Sequence, residues 1–140
     1  KNQEPIEDNT VLISAISLMI EVSLADEIMD ISEIETLKKV LLEEFDVSET
    51  SLDILISDAK NNQSSSTSLY EFTRRINDEY EFNEKKNLIL SMWKIAYADG
   101  NIDKYEEYVI RKVSDLIYIS HQDFIESKHK ARGEYENRKT

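Results

Sequence analysis

Glycine occurs at only two positions of this chain, Gly100 and Gly133, and proline at one, Pro5. Hairpins and many-stranded sheets need frequent tight reversals, and those reversals draw on Gly and Pro. A chain of 140 residues with so few turn-formers is expected to be built from helices joined by short polar turns. The same scarcity removes Gly-rich phosphate loops, and no G-x-G-x-x-G or Walker pattern is present. Cysteine is absent, which excludes disulfide scaffolds, zinc ribbons and thiol catalysis.

Apolar spacing supports the all-α expectation. Ile13, Ile16, Ile20 and Leu24 recur at helical intervals, and the opposite face of the same segment is also apolar. This predicts a central helix over about 9–25. Six more follow: from Ser32, with Glu35 at the capping-box position, to about Glu44; from Ser48; from Ser68, with Glu71; from Asn83; from Asp103, with Glu106; and from Ser120, with Asp123. The polar run NNQSSSTS, residues 61–68, reads as a loop and hinge between halves. Residues 128–140 lose apolar periodicity and read as a frayed, charged tail. The expectation is one domain over 1–140, with its core at about 10–131 and flexible ends at 1–8 and 132–140.

The apolar run Val11–Ala25 is 15 residues long and contains Glu21. A membrane-spanning helix needs roughly 20 apolar residues, so this segment is expected to be a buried core helix. No signal-peptide pattern is visible, and the expected compartment is the cytoplasm. The chain opens at Lys1 rather than Met, as a trimmed fragment would, so residues upstream are expected.

Lys plus Arg number 17 and Asp plus Glu 29, a formal charge of −12. That balance argues against nucleic-acid binding, which needs a dense basic surface. At 40% hydrophobic the chain can still bury a core, so global disorder is not expected. The charge is uneven: residues 1–66 hold 4 basic and 15 acidic side chains, and residues 67–140 hold 13 and 14. An acidic first half would face a partner or a cation.

A shift of 73 residues lays VSLADEIMDISEIETLKKV (22–40) over IAYADGNIDKYEEYVIRKV (95–113). After one deletion, Val47-Ser48 matches Ile119-Ser120. Each half reads as long helix, acidic loop, helix, short turn, helix. The expected architecture is about seven helices in two pseudo-symmetric repeats, packed through helices one and five.

The repeated pattern A-D-x-x-x-D-x-x-E sets out two carboxylate groups: Asp26, Asp30, Glu33 and Asp99, Asp103, Glu106. Helix capping and the helix dipole can account for Asp30, Glu33, Asp103 and Glu106. They do not account for Asp26 or Asp99, which fall at the C-terminal ends of long helices, where negative charge is disfavoured. A hard divalent cation, Ca²⁺ or Mg²⁺, would compensate, because carboxylates and backbone carbonyls are its ligands. The run from Asp99 to Glu106 fits the later part of an EF-hand loop, D-G-x-I-x-x-x-E. Gly100 would allow its turn and Ile102 would pin it to the core. The loop's first and third ligand positions fall on Ile95 and Tyr97, which cannot coordinate, so any site would have fewer protein ligands and more water. In the first loop Glu27 replaces the glycine.

These two loops, their spacing of about 70 residues, and LYEFTRRIN (69–77) together resemble the bacterial tellurite-resistance TerB-like domain. The most specific stretch is residues 85–120, and the likeness runs from about 10 to 131. The resemblance implies an all-α domain with internal repeats and metal-binding acidic positions, here Asp26, Asp30, Glu33, Asp99, Asp103 and Glu106. It also implies a tellurite-resistance or stress-response setting, with a protein partner that can be membrane-associated. That would place the chain in the cytoplasm, peripheral to the inner membrane through the partner.

Other chemistry finds little support. His121 and His129 are too few for a His-based metal site, and no G-x-S-x-G elbow exists. Enzyme activity is not expected. An alternative function is a protein-interaction adaptor whose acidic loops are helix caps that meet a basic or membrane-associated partner without metal. Of Tyr105 and Tyr108, one is expected to be exposed. Arg74-Arg75, Lys85-Lys86, Lys128, Lys130 and Arg132 form a solvated face or a surface for weak self-association.

Overall fold

The computed structural model describes residues 9–23, 30–64 and 69–139. Among the described residues seven α-helices run in order: α1 (Asn9–Ser23), α2 (Ile31–Glu44), α3 (Glu49–Ser64), α4 (Leu69–Glu79), α5 (Phe82–Ala96), α6 (Lys104–Leu116) and α7 (His121–Lys139). A short 3₁₀ turn, Tyr97–Asp99, follows α5. No strand occurs among the described residues. No described helix is long and apolar enough to cross a membrane.

Helix α1 is the hub. Ala15, Ile16, Leu18, Met19, Ile20 and Val22 are all 2% exposed or less, so it is apolar around most of its circumference. A helix of that kind must be enclosed by others, and α3, α4, α5 and α6 all pack on it. Its buried Ser17 hydroxyl donates to the Ile13 carbonyl at 2.8 Å, which satisfies the hydroxyl inside the core. Helix α5 is the second hub, packing on α1, α2, α6 and α7. Its Leu88, Ile89, Met92, Trp93 and Ile95 are fully enclosed.

The ends of α2 and α6 share several features. Each ends on a left-handed residue without being glycine: Asp46 at φ 57° and Tyr118 at φ 67°. The residue after each, Val47 and Ile119, is buried. At α6 the Ile119 N–H donates to Ser114 O at 3.0 Å and Tyr118 N–H to Asp115 O at 3.2 Å. That is a Schellman closure. The last carbonyls of both helices are met by an Asn amide: Asn87 Nδ2 donates to Glu44 O at 3.2 Å, and Asn77 Nδ2 to Leu116 O at 3.0 Å. The sequence alignment of Val47-Ser48 with Ile119-Ser120 therefore corresponds to two turns that share a left-handed residue, a buried successor and an Asn cap but close differently, since the Val47 N–H reaches back to Leu41 O at 3.1 Å.

Three sequence expectations change. Helix α2 is capped by Asp30 with Glu33, not by Ser32 with Glu35. Ser32 lies inside the helix and donates its hydroxyl to Asp30 Oδ1 at 2.8 Å. A carboxylate two residues upstream outcompetes the hydroxyl, because it accepts the strong cap bond and suits the helix dipole. The polar run at 61–68 is helical through Ser64; residues 65–68, including the predicted start at Ser68, lie outside the described residues. Asn, Gln and Ser cost a helix little once it has nucleated, so α3 propagates into them. The charged tail is helical through Lys139, with Ala131 buried at 1% exposure. Phe124, Ser127 and Ala131 are buried at helical spacing, but Ser and Ala give that stripe little apolar signal in the sequence. The predicted starts at Asp103 and Ser120 are observed as N-caps, with Ser120 Oγ accepting from Asp123 N–H at 3.1 Å. Helix α5 starts at Phe82, one residue before the expected Asn83.

Candidate functional site

Four of the six carboxylates singled out in the sequence are described in full. Asp30 and Glu33 form a reciprocal cap: Glu33 N–H donates to Asp30 Oδ1 at 2.9 Å, and Asp30 N–H donates to Glu33 Oε1 at 3.0 Å. Asp103 and Glu106 repeat it at 2.8 Å and 3.1 Å. In both pairs the Asp is exposed and the Glu is buried, at 4% for Glu33 and 5% for Glu106. The Glu33 N–H and the Ser32 hydroxyl hold the Asp30 carboxyl below its usual range, because they stabilise its charged form. Asp26 lies outside the described residues, and Asp99 is described by its backbone alone. Among the described residues, no group of three His, Asp or Glu side chains is arranged to hold a metal ion.

The second loop is a compact turn. After α5, the Tyr97–Asp99 3₁₀ turn closes with Gly100 N–H donating to Tyr97 O at 2.8 Å. Gly100 is left-handed at φ 91°, a conformation that other residues adopt only with strain. Ile102 packs against the core, as an anchor for the loop should. Asp103 then caps α6. The 3₁₀ turn lies against both α2 and α7, so the second loop sits beside a helix of the first half.

Two residues of this region carry no sequence signal. Lys94, with only 14% of its side chain exposed, reaches Glu134 at 3.1 Å and Glu44 at 3.6 Å, joining α2, α5 and α7. Tyr135 stacks on Tyr97 with ring centroids 6.3 Å apart. Burial raises the Tyr97 phenol above its ordinary range; Arg132 opposes that shift and Glu107 and Glu136 add to it. Both interactions join residues about 40 positions apart, which a local pattern cannot reveal.

Two grooves are lined by neighbouring residues. One of about 600 Å³ runs between α5 and α7, lined by Asn83, Leu90, Asp123 and Lys130 among others. Another of about 290 Å³ is lined by Thr36, Val40, Lys94 and Glu134 among others. None of the four described carboxylates, Asp30, Glu33, Asp103 and Glu106, lines either. Of the basic residues seen in the sequence, Lys86 pairs with Asp123 at 3.7 Å, Lys128 with Glu107 at 3.6 Å and Arg132 with Glu136 at 3.3 Å. Tyr105 and Tyr108 are both exposed, where one was expected to be, at 46% and 55%. Tyr70, at 62%, and Tyr108 flank Lys112, whose Nζ lies 5.9 Å from the Tyr70 ring and 5.8 Å from the Tyr108 ring, and Tyr105 lies 6.4 Å from Tyr108.

Comparison with curated proteins and with solved structures returns no match. The family described as tellurite resistance protein TerB matches residues 12–129. That match spans most of the 140 residues, and the chain belongs to the TerB family.

Proposed function

We propose that this chain is a non-enzymatic module that binds a divalent cation, Ca²⁺ or Mg²⁺, through loops 26–33 and 99–106, in a tellurite-resistance or stress-response setting. One observation carries the reading. The second loop turns at left-handed Gly100 and then holds exposed Asp103 against buried Glu106 through two mutual hydrogen bonds. Carboxylates fixed in this way lose little side-chain entropy when a cation arrives. Oxygen ligands of this type suit a hard cation, and water would complete a sphere that the protein only partly fills. The family's own description supplies the tellurite-resistance setting.

Calorimetric titration with Ca²⁺, Mg²⁺ and Zn²⁺, alongside thermal melts, tests the reading. Binding at one hundred times the dissociation constant stabilises the fold by about 2.7 kcal/mol. Asp99→Asn should weaken it. The absence of both heat and any shift in melting temperature at millimolar metal would reject it.

A second reading rests on a different observation: four of the carboxylates already act as complete helix caps. On this reading the acidic loops, without metal, meet a basic or membrane-associated protein partner, holding the chain in the cytoplasm at the membrane's periphery. Such binding weakens with salt and survives a chelator. A pull-down insensitive to both salt and Asp99→Asn would count against it.

A further inference from the structure

The far end of α7 reaches the second acidic loop. A Cβ built on Gly100 would lie 2.7 Å from Tyr135 Oη and 3.5 Å from Tyr135 Cζ, so the phenol occupies the space a side chain at 100 would need. The Tyr135 ring stacks on Tyr97, whose carbonyl accepts the hydrogen bond that closes the turn. Tyr97 in turn lies 6.4 Å from the buried ring of Trp93. Two further contacts fix this stretch of α7. Ala131 is buried, and Glu134 pairs with Lys94.

Within the loop, the Gly100 N–H bond to Tyr97 O closes the turn and Ile102 packs on the core. A 3₁₀ turn of three residues is marginal in isolation, and left-handed Gly100 is followed by exposed Asn101. We propose that Tyr135 is a positioning residue for the second acidic loop. The end of α7 acts as a strap whose docking sets the Asp99–Asp103 turn, so that cation occupancy of the loop and docking of the strap are coupled. By linkage, what stabilises one stabilises the other. Residues 130–139 lie past the family match at 12–129. The coupling rests on the cation reading above; the positioning does not.

The test uses the full chain, wild type against Tyr135→Ala and Tyr135→Phe, first without metal. Hydrogen exchange at the Gly100 amide should quicken by about 10-fold in Tyr135→Ala while amides of buried α5 hold, because local openings report local stability. Tyr135→Phe, which keeps the ring, should stay close to wild type. Unchanged exchange at Gly100, or equal loosening throughout α5, would overturn the positioning role. A second variant guards against a general loss of fold. Gly100→Ala should lower the melting temperature less in the Tyr135→Phe background than in wild type, since the hydroxyl its Cβ meets is gone. Equal losses would again overturn the proposal. Calcium alone is then titrated into wild type and Tyr135→Ala. Affinity weaker by about 10-fold in the variant supports the coupling. Equal affinity rejects it. No binding to wild type rejects the cation reading and the coupling with it, while the exchange result still decides the positioning role.

Discussion

Asp30 and Asp103, 73 positions apart, accept the same hydrogen bond from the third residue of the helix each precedes, Glu33 at 2.9 Å and Glu106 at 2.8 Å. The bond supplies an acceptor for an otherwise orphaned N–H and places negative charge at the positive end of the helix dipole.

Asp30→Ala and Asp103→Ala should each cost about 1 kcal/mol in urea unfolding at neutral pH, and the Asn variants distinctly less, since Asn keeps the acceptor. The Asp30 carboxyl is held below its ordinary value of 3.8 by the Glu33 N–H and then the Ser32 hydroxyl. A lowered folded-state value contributes stability that is present above the ordinary value and lost as pH falls through the folded one. The Asp30→Ala penalty should therefore shrink as unfolding is measured at successively lower pH below 3.8. A penalty independent of pH across that range would count against the cap.

Glu21 on α1 shows the opposite sign. Partial burial raises its carboxyl above the ordinary 4.5, and no described basic side chain pairs with it. A carboxyl raised by burial leaves the fold less stable above its folded-state value and costs nothing below the ordinary one. Glu21→Gln should raise the melting temperature at neutral pH, with the gain vanishing as pH falls below 4.5. A gain that persists in acid would point to packing rather than charge.

Tyr118 occupies the left-handed position after α6 at φ 67° and is 77% exposed, with Lys85 5.7 Å from its ring. Glycine has no Cβ to strain there, and little buried area would be lost. Tyr118→Gly should stabilise the chain by roughly 0.5–1 kcal/mol, read by chemical denaturation. Loss of stability instead would mean that the exposed lysine contact outweighs the backbone strain.

The legible part of the fold is the part written in local rules. Apolar spacing along α1 identifies a central helix, because a segment apolar on all sides has to be enclosed. The repeat predicts that Asp103 and Glu106 cap α6, and it pairs Val47 with Ile119, each of which follows a left-handed residue. The start of α2 shows where local rules compete. Ser32–Glu35 and Asp30–Glu33 both satisfy the capping pattern, and only the backbone turning at Asp30, φ −81° and ψ 175°, decides between them.

The sequence by itself determined the helical class, the family's loops and the Asp103–Glu106 cap of α6, since each depends on neighbours a few positions apart. Tertiary structure alone decided what surrounds those residues. It buries Glu33 and Glu106 while leaving Asp30 and Asp103 in water, sets Lys94 between Glu44 and Glu134, and carries Tyr135 onto Gly100. The physical reason is range. A cap or an amphipathic stripe is fixed by bonds within one turn. The contact of a charged, unpatterned helix end with a distant loop depends on how α5 and α7 pack, which no short window of the chain encodes.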